Sequence, residues 1–229
     1  NGIAIPCIYY DYINNLQDSD TKSNVLYEMI TSYSISLDKK HYFLHNIIDN
    51  FLENQFHSVN DYLYASNIFK ALDEQLYFKL KQISKEDCSW LLEEDIDKCK
   101  YRLDSIIKKD FENGIPRIEH TIIHSSQDDE HINIDKALEE HTKNKFRFTA
   151  RVDLVTESTV YELKCTNEIS IDHHIQVVIY AWLWKLTYPD DNKIFKIFNI
   201  KTGELKVLNT DFETLNFIVI EIIKGKFEE

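Results

Sequence analysis

The sequence predicts an α/β fold of the α+β kind: a mixed central β-sheet flanked by helices, with a helical region ahead of it. Two observations carry that expectation. Apolar positions over residues 1 to 112 recur at three- and four-residue spacing, with no Gly or Pro after Pro6 to interrupt them. Beyond Gly114 and Pro116 the pattern changes to short alternating runs, punctuated by turn residues and two further helical stretches. From there the order reads strand, strand, strand, helix, strand, strand, helix, which puts helices against a mixed sheet. The expected organisation is a helical region over 1–112 packing on a sheet-bearing core over 113–229.

Each element has its own signal. In the first region Tyr42, Phe43, Leu44, Ile47, Ile48, Phe51 and Leu52 fit one amphipathic helix, and Tyr62, Leu63, Ile68, Phe69, Leu72 and Leu76 fit another. Residues 117 to 124 read as a strand, whereas 125 to 141 are polar and acidic around Gln127-Asp128-Asp129-Glu130, a surface excursion. Residues 145 to 156 and 159 to 165 read as a hairpin, followed by a helix over about 172 to 186 that ends before Pro189-Asp190-Asp191-Asn192. A second hairpin pairs 193 to 199 with 205 to 209 across Lys201-Thr202-Gly203-Glu204, and Asp211 is placed to cap a last helix.

Composition narrows the function classes. An apolar fraction of 43% and an aromatic fraction of 13% in 229 residues are those of a chain with a packed core, not a disordered one. No apolar run approaches the roughly 20 residues that span a bilayer, and the first residues carry no basic segment leading into an apolar one. A soluble, intracellular protein with no membrane partner is expected. Cys7, Cys88, Cys99 and Cys165 are scattered without a CxxC pair, which suits reduced thiols and neither zinc nor an iron–sulfur cluster. Only Gly2, Gly114, Gly203 and Gly225 are present and none can form a GxxxxGK loop, so the chain is no ATP-driven motor by itself. Numbering from Asn1 rather than a methionine suggests a piece of a longer polypeptide.

The net charge of −13 repels a polyanion, so any nucleic-acid site must be locally basic. Lys143, Lys145, Arg147 and Arg151 form such a run, with no acid among them, just before Asp153. A solvated strand face is the alternative for that run alone.

The strand period of two puts Phe146, Phe148, Ala150, Val152 and Leu154 on one face and Arg147, Arg151 and Asp153 on the other. The same rule groups Glu162 with Lys164, opposite Tyr161, Leu163 and Cys165. A symmetric turn centred on Glu157-Ser158 then sets Asp153 directly opposite Glu162. Directly opposed side chains have Cβ atoms roughly 4.5 to 5.5 Å apart, where like charges are destabilising. A hard divalent cation bound through oxygen relieves that repulsion, and a neighbouring lysine adds compensating charge. An ordinary charged cluster on a half-exposed hairpin is the other reading of these three residues. On the following helix, 100° per residue gathers Ile175, Val178, Ile179, Trp182, Leu183 and Leu186 into a core stripe. His173, Gln176, Tyr180 and Trp184 form an adjoining stripe of hydrogen-bonding and stacking groups, with Trp184 read as core rim.

Ala150-Arg151-Val152-Asp153, Glu162-Leu163-Lys164 and then Gln176 with Tyr180 four residues on resemble, in order and spacing, the PD-(D/E)XK nuclease superfamily, in its RecB-like branch with a QxxxY helix. The match covers about residues 117 to 186 and implies a restriction-endonuclease-like core. The resemblance implies a magnesium- or manganese-dependent nuclease, with one or two ions, hydrolysing phosphodiester bonds of DNA in repair, recombination or replication processing. Asp153 and Glu162 would hold the metal, Lys164 would orient the attacking water or stabilise transition-state charge, and Gln176 and Tyr180 would contact the strand. Arg147 and Arg151 would guide the backbone. Glu119 on the preceding strand would complete the metal site, and an upstream histidine (His41, His45 or His57) could add a ligand. Ala150 stands where glycine is common and Val152 where proline is common; neither change removes a functional group. The iron–sulfur cysteines of some members are absent. The family's habit of joining helicases implies a helicase partner, on the same polypeptide or in a complex. A nuclease-like module that binds without turnover, and a viral-type RNA endonuclease of the same superfamily, remain the rival readings.

Overall fold

The computed structural model describes residues 2–15, 24–36, 44–46, 48–49, 58–110, 116–125 and 147–227. They divide into two compact units, Asn1–Asp104 and Ser105–Glu229. The expected acidic excursion and the lysines Lys143 and Lys145 lie outside the described residues, as do His41 and His57. No helix among the described residues is long and apolar enough to cross a membrane.

The first unit is helical: α1 (Ala4–Asn15), α2 (Val25–Ser36), α3 (Val59–Asp73) and most of α4 (Glu93–Ile107). Ser58 starts α3 with a reciprocal cap in which its N–H donates to Asp61 Oδ2 (2.8 Å) and the Asp61 N–H donates to Ser58 Oγ (3.4 Å). The helix expected to reach Leu76 stops at Asp73. Gln75 there adopts φ 55°, and the Leu76 N–H returns to Ala71 O and the Gln75 N–H to Leu72 O, the paired bonds that close a helix through a left-handed residue. His45 sits half-buried in a helical stretch of this unit.

The second unit carries a five-stranded mixed sheet in the order β1 (Arg117–Ser125), β2 (Arg147–Val155), β3 (Thr159–Lys164), β4 (Ile194–Asn199), β5 (Glu204–Leu208). All neighbours are antiparallel except β3 and β4. A parallel pair needs a crossover, and α5 (Ile171–Thr187) supplies it. Gly203, at φ 81°, makes the tight β4–β5 turn, its N–H bonded to Asn199 O at 2.7 Å. Asp211 caps α6 (Phe212–Phe227) by accepting from the Thr214 N–H at 2.7 Å.

The core of this unit lies between the sheet and α5 with α6, where Ile122, Ala150, Val152, Val160, Phe195 and Ile197 meet Val177, Ala181, Trp182, Trp184, Leu215 and Val219. Two expectations change here. The core row on β2 steps from Val152 to Val155 instead of running through Leu154, so strict alternation slips beside Asp153. On α5 the buried set is Val177, Ala181, Trp182, Leu183, Trp184 and Leu186, which shares Trp182, Leu183 and Leu186 with the expected stripe while Ile175, Val178 and Ile179 are only half-buried, because the helix touches both the sheet and α6. Trp182 Nε1 donates to Asn216 Oδ1 on α6 (2.9 Å). Trp184 is wholly buried rather than at a rim, its ring against His120, Tyr188 and Phe195.

Candidate metal centre and its lysine

The β2–β3 ladder pairs Leu154 with Tyr161 and Val155 with Val160, the register that the symmetric turn requires. Regular pairing ends one step short of Asp153 and Glu162. There Asp153 Oδ2 accepts the Leu163 N–H at 2.6 Å, so the carboxylate itself takes over a backbone donor that the ladder no longer serves. β1 continues the row. Ile118 registers with Leu154 and His120 with Val152, and Glu119 and Asp153 fall at the intervening step, which is left unpaired. Glu119, Asp153 and Glu162 therefore stand side by side on three neighbouring strands.

Glu162 is 4% exposed, which removes the reading of a solvated surface cluster. Its Oε1 accepts from Lys164 Nζ at 2.6 Å, while its Oε2 is buried with no N–H or hydroxyl donor and the carboxyl lies in hydrogen-bonding contact with that of Asp153. Lys164 Nζ also donates to Gln176 Oε1 at 2.8 Å, and Gln176 Nε2 donates to Tyr180 Oη at 2.6 Å. Lysine, glutamine and tyrosine thus form one chain of polar groups from β3 onto α5. His173, expected in the same stripe, instead accepts the Ser170 N–H on Nδ1 (3.1 Å) and caps its own helix.

Burial and then the Asp153 charge push the Glu162 carboxyl up to about 8, and burial also raises Asp153. Without a cation the pair therefore retains a proton at neutral pH. Burial, followed by the Glu162 charge, pushes the Tyr180 hydroxyl up to about 12, so it stays protonated. These residues fit a hard divalent cation in one specific respect: two buried carboxyls in contact, one with an oxygen that no N–H or hydroxyl donor reaches, could exchange their shared proton for a metal ion. The fit stops at two acids. Glu119 is turned to Arg151, its Oε2 3.0 Å from Nε, and no group of three acid, histidine or cysteine side chains that could hold a metal occurs among the described residues.

Arg147 opens β2 opposite Ser125, but its side chain is outside the described residues. A cavity of about 420 Å³ between α5, the β4–β5 hairpin and the start of α6 shares no residue with the acidic row. Its two lysines are committed to main-chain oxygens, Lys185 to Asp191 and Lys193 to Glu157.

Asn199 escaped the sequence reading. It is wholly buried at the end of β4, paired with Lys164 in the parallel register, and it accepts the Thr166 N–H (3.3 Å) while donating to Thr166 O (2.9 Å). It fastens the chain just after Lys164, where the connection to α5 begins. An asparagine on an apolar strand is a weak signal, and nothing in its spacing to Lys164 marks it. Comparisons with protein-family models, with characterised proteins and with solved structures gave no match.

Proposed function

We propose that this chain is a metal-dependent nuclease that hydrolyses phosphodiester bonds in DNA, in the manner of the RecB-like branch its motifs resemble. The observation that carries the proposal is the buried pair of hydrogen-bonded acids, Asp153 and Glu162, beside Lys164. Asp153 and Glu162 would hold magnesium or manganese, and the bound ion would supply an activated water and relief of charge on the phosphate. Lys164 has three N–H groups, of which Glu162 and Gln176 take two, leaving one for the water or a phosphate oxygen. Tyr180 accepts from Gln176, so its own proton is left to donate to the strand. Arg151 lies on the same strand as Asp153 and is 44% exposed at its side chain, suited to meeting a phosphate backbone.

The test is incubation of end-labelled linear DNA, circular DNA and matched RNA with magnesium, manganese or chelator. Metal-dependent DNA cleavage is the expected result. Binding without cleavage would leave a nuclease-like binding module, and preferential cleavage of RNA would move the chain to the other branch. A helicase partner rests on the resemblance alone, and co-purification of an ATPase with the full-length polypeptide tests it.

A further inference from the structure

Glu119 stands between two neighbours on β2 that pull it in opposite directions. Asp153, a like charge, falls at the unpaired step opposite it, while Arg151 is the diagonal neighbour and holds its carboxylate at 3.0 Å. Its backbone is left-handed, φ 49°, an uncommon conformation for a residue with a side chain and one found at sites whose strain has a use. Glu119 also adds to the negative field on Glu162, which places it within electrostatic reach of the acidic pair. A third oxygen ligand is therefore adjacent to the candidate metal centre and is kept on a guanidinium that is itself exposed to solvent.

We propose that Arg151 is a latch: it withholds Glu119 from the metal centre until a phosphate group of the bound strand competes for the guanidinium, whereupon Glu119 turns to the ion and completes the ligand set. The inference rests on the metal-site reading above and adds its regulation. A phosphate is a better partner for an exposed arginine than a single carboxylate, because it offers several charged oxygens to the planar fork. The released Glu119 then meets a cation instead of the bare charge of Asp153, so the repulsion that favoured the latch becomes an attraction through the shared ion. Substrate and metal would consequently tighten each other's binding, as linkage requires. The ion would be held loosely when no strand is present.

Calorimetric titration of manganese without nucleic acid tests the latch apart from any cleavage. Arg151→Gln should tighten manganese by about tenfold, within the usual range for coupled sites. Losing a nearby positive charge would also favour a cation, so the deciding arm is the background: Glu119→Gln should bind like the parent, and Glu119→Gln/Arg151→Gln should lose the gain. A gain that persists in the double variant, or no gain in Arg151→Gln, overturns the latch while leaving the metal site standing. No manganese binding in any variant overturns both. In a second arm, a phosphorothioate-stabilised oligodeoxynucleotide should tighten manganese in the parent but not in Glu119→Gln. Equal tightening in the two would also overturn the latch. Arg151 is half-exposed, and matching circular dichroism spectra confirm that the variants are folded.

Discussion

Two buried acids in this chain have opposite surroundings. Asp11, in the helical unit, accepts the Val25 N–H on Oδ1 (2.9 Å) and the Tyr62 hydroxyl on Oδ2 (2.6 Å), and Tyr62 in turn accepts from Asn24. Both of its oxygens are matched to donors, and together they tie α1 to the start of α2 and to α3. Glu162, in the sheet, has one oxygen on Lys164, another that no N–H or hydroxyl donor reaches, and a second acid in hydrogen-bonding contact with it. Burial raises the carboxyls of both Asp11 and Glu162, so desolvation does not distinguish them. The donors do. A buried acid whose oxygens are all matched to donors stabilises a fold, whereas on the reading proposed above one set against a like charge awaits a cation.

The largest effect that would break this comparison concerns Lys164. If the proposed function holds, Lys164→Ala should lower DNA cleavage by about two to three orders of magnitude while leaving the thermal midpoint within a few degrees, because the ammonium would then serve the reaction rather than the core. Retained cleavage in single-turnover assays would remove its assigned role. Next comes the contrast itself. Asp11→Ala strands a half-buried N–H and a half-buried hydroxyl and should cost about 2 kcal/mol in chemical denaturation. Asp153→Asn keeps an acceptor for the Leu163 N–H and removes the repulsion on Glu162, so the metal-free protein should be at least as stable as the parent. Equal destabilisation by the two would erase the distinction between structural and poised acids.

A smaller effect follows from the proton on Glu162. Its carboxyl in the folded state titrates near 8 against 4.5 in the unfolded chain, so between those values the folded state binds more protons than the unfolded one. The stability this confers is complete below about 4.5 and is lost as pH rises through 8. The slope reaches at most about 1.4 kcal/mol per pH unit for one group. Melting curves of metal-free protein should decline across this window, and Glu162→Gln should flatten the decline. An unchanged slope in that variant would place the proton elsewhere.

Much of this was legible in the residues. The mixed sheet after Gly114 and Pro116, the helix carrying Gln176 and Tyr180, and the β2–β3 register all follow from local periods of two and 3.6 and from one short turn. What was not legible depends on contacts between segments distant in sequence. The register of β1 cannot be read through the long connection to β2, so neither the place of Glu119 next to Asp153 nor its ion pair with Arg151 was foreseeable. The slip from Val152 to Val155 breaks the alternation that reading assumes, beside a residue whose left-handed backbone no propensity scale assigns to glutamate. The burial of Trp184 depends on His120, Tyr188 and Phe195, two of which come from strands of the sheet. Helix periodicity could not distinguish a face against one layer from a helix held between the sheet and α6.

The central claim is that the Asp153–Glu162 pair exchanges its retained proton for a divalent cation. Manganese titration at pH 7 in two buffers of different ionisation enthalpy measures that exchange directly, because heat from the buffer reports each proton released. The account expects saturable binding with close to one proton released per ion in the parent, and weaker binding with little proton release in Glu162→Gln. Binding with no proton release, or binding unchanged in that variant, would place the ion elsewhere and contradict the account.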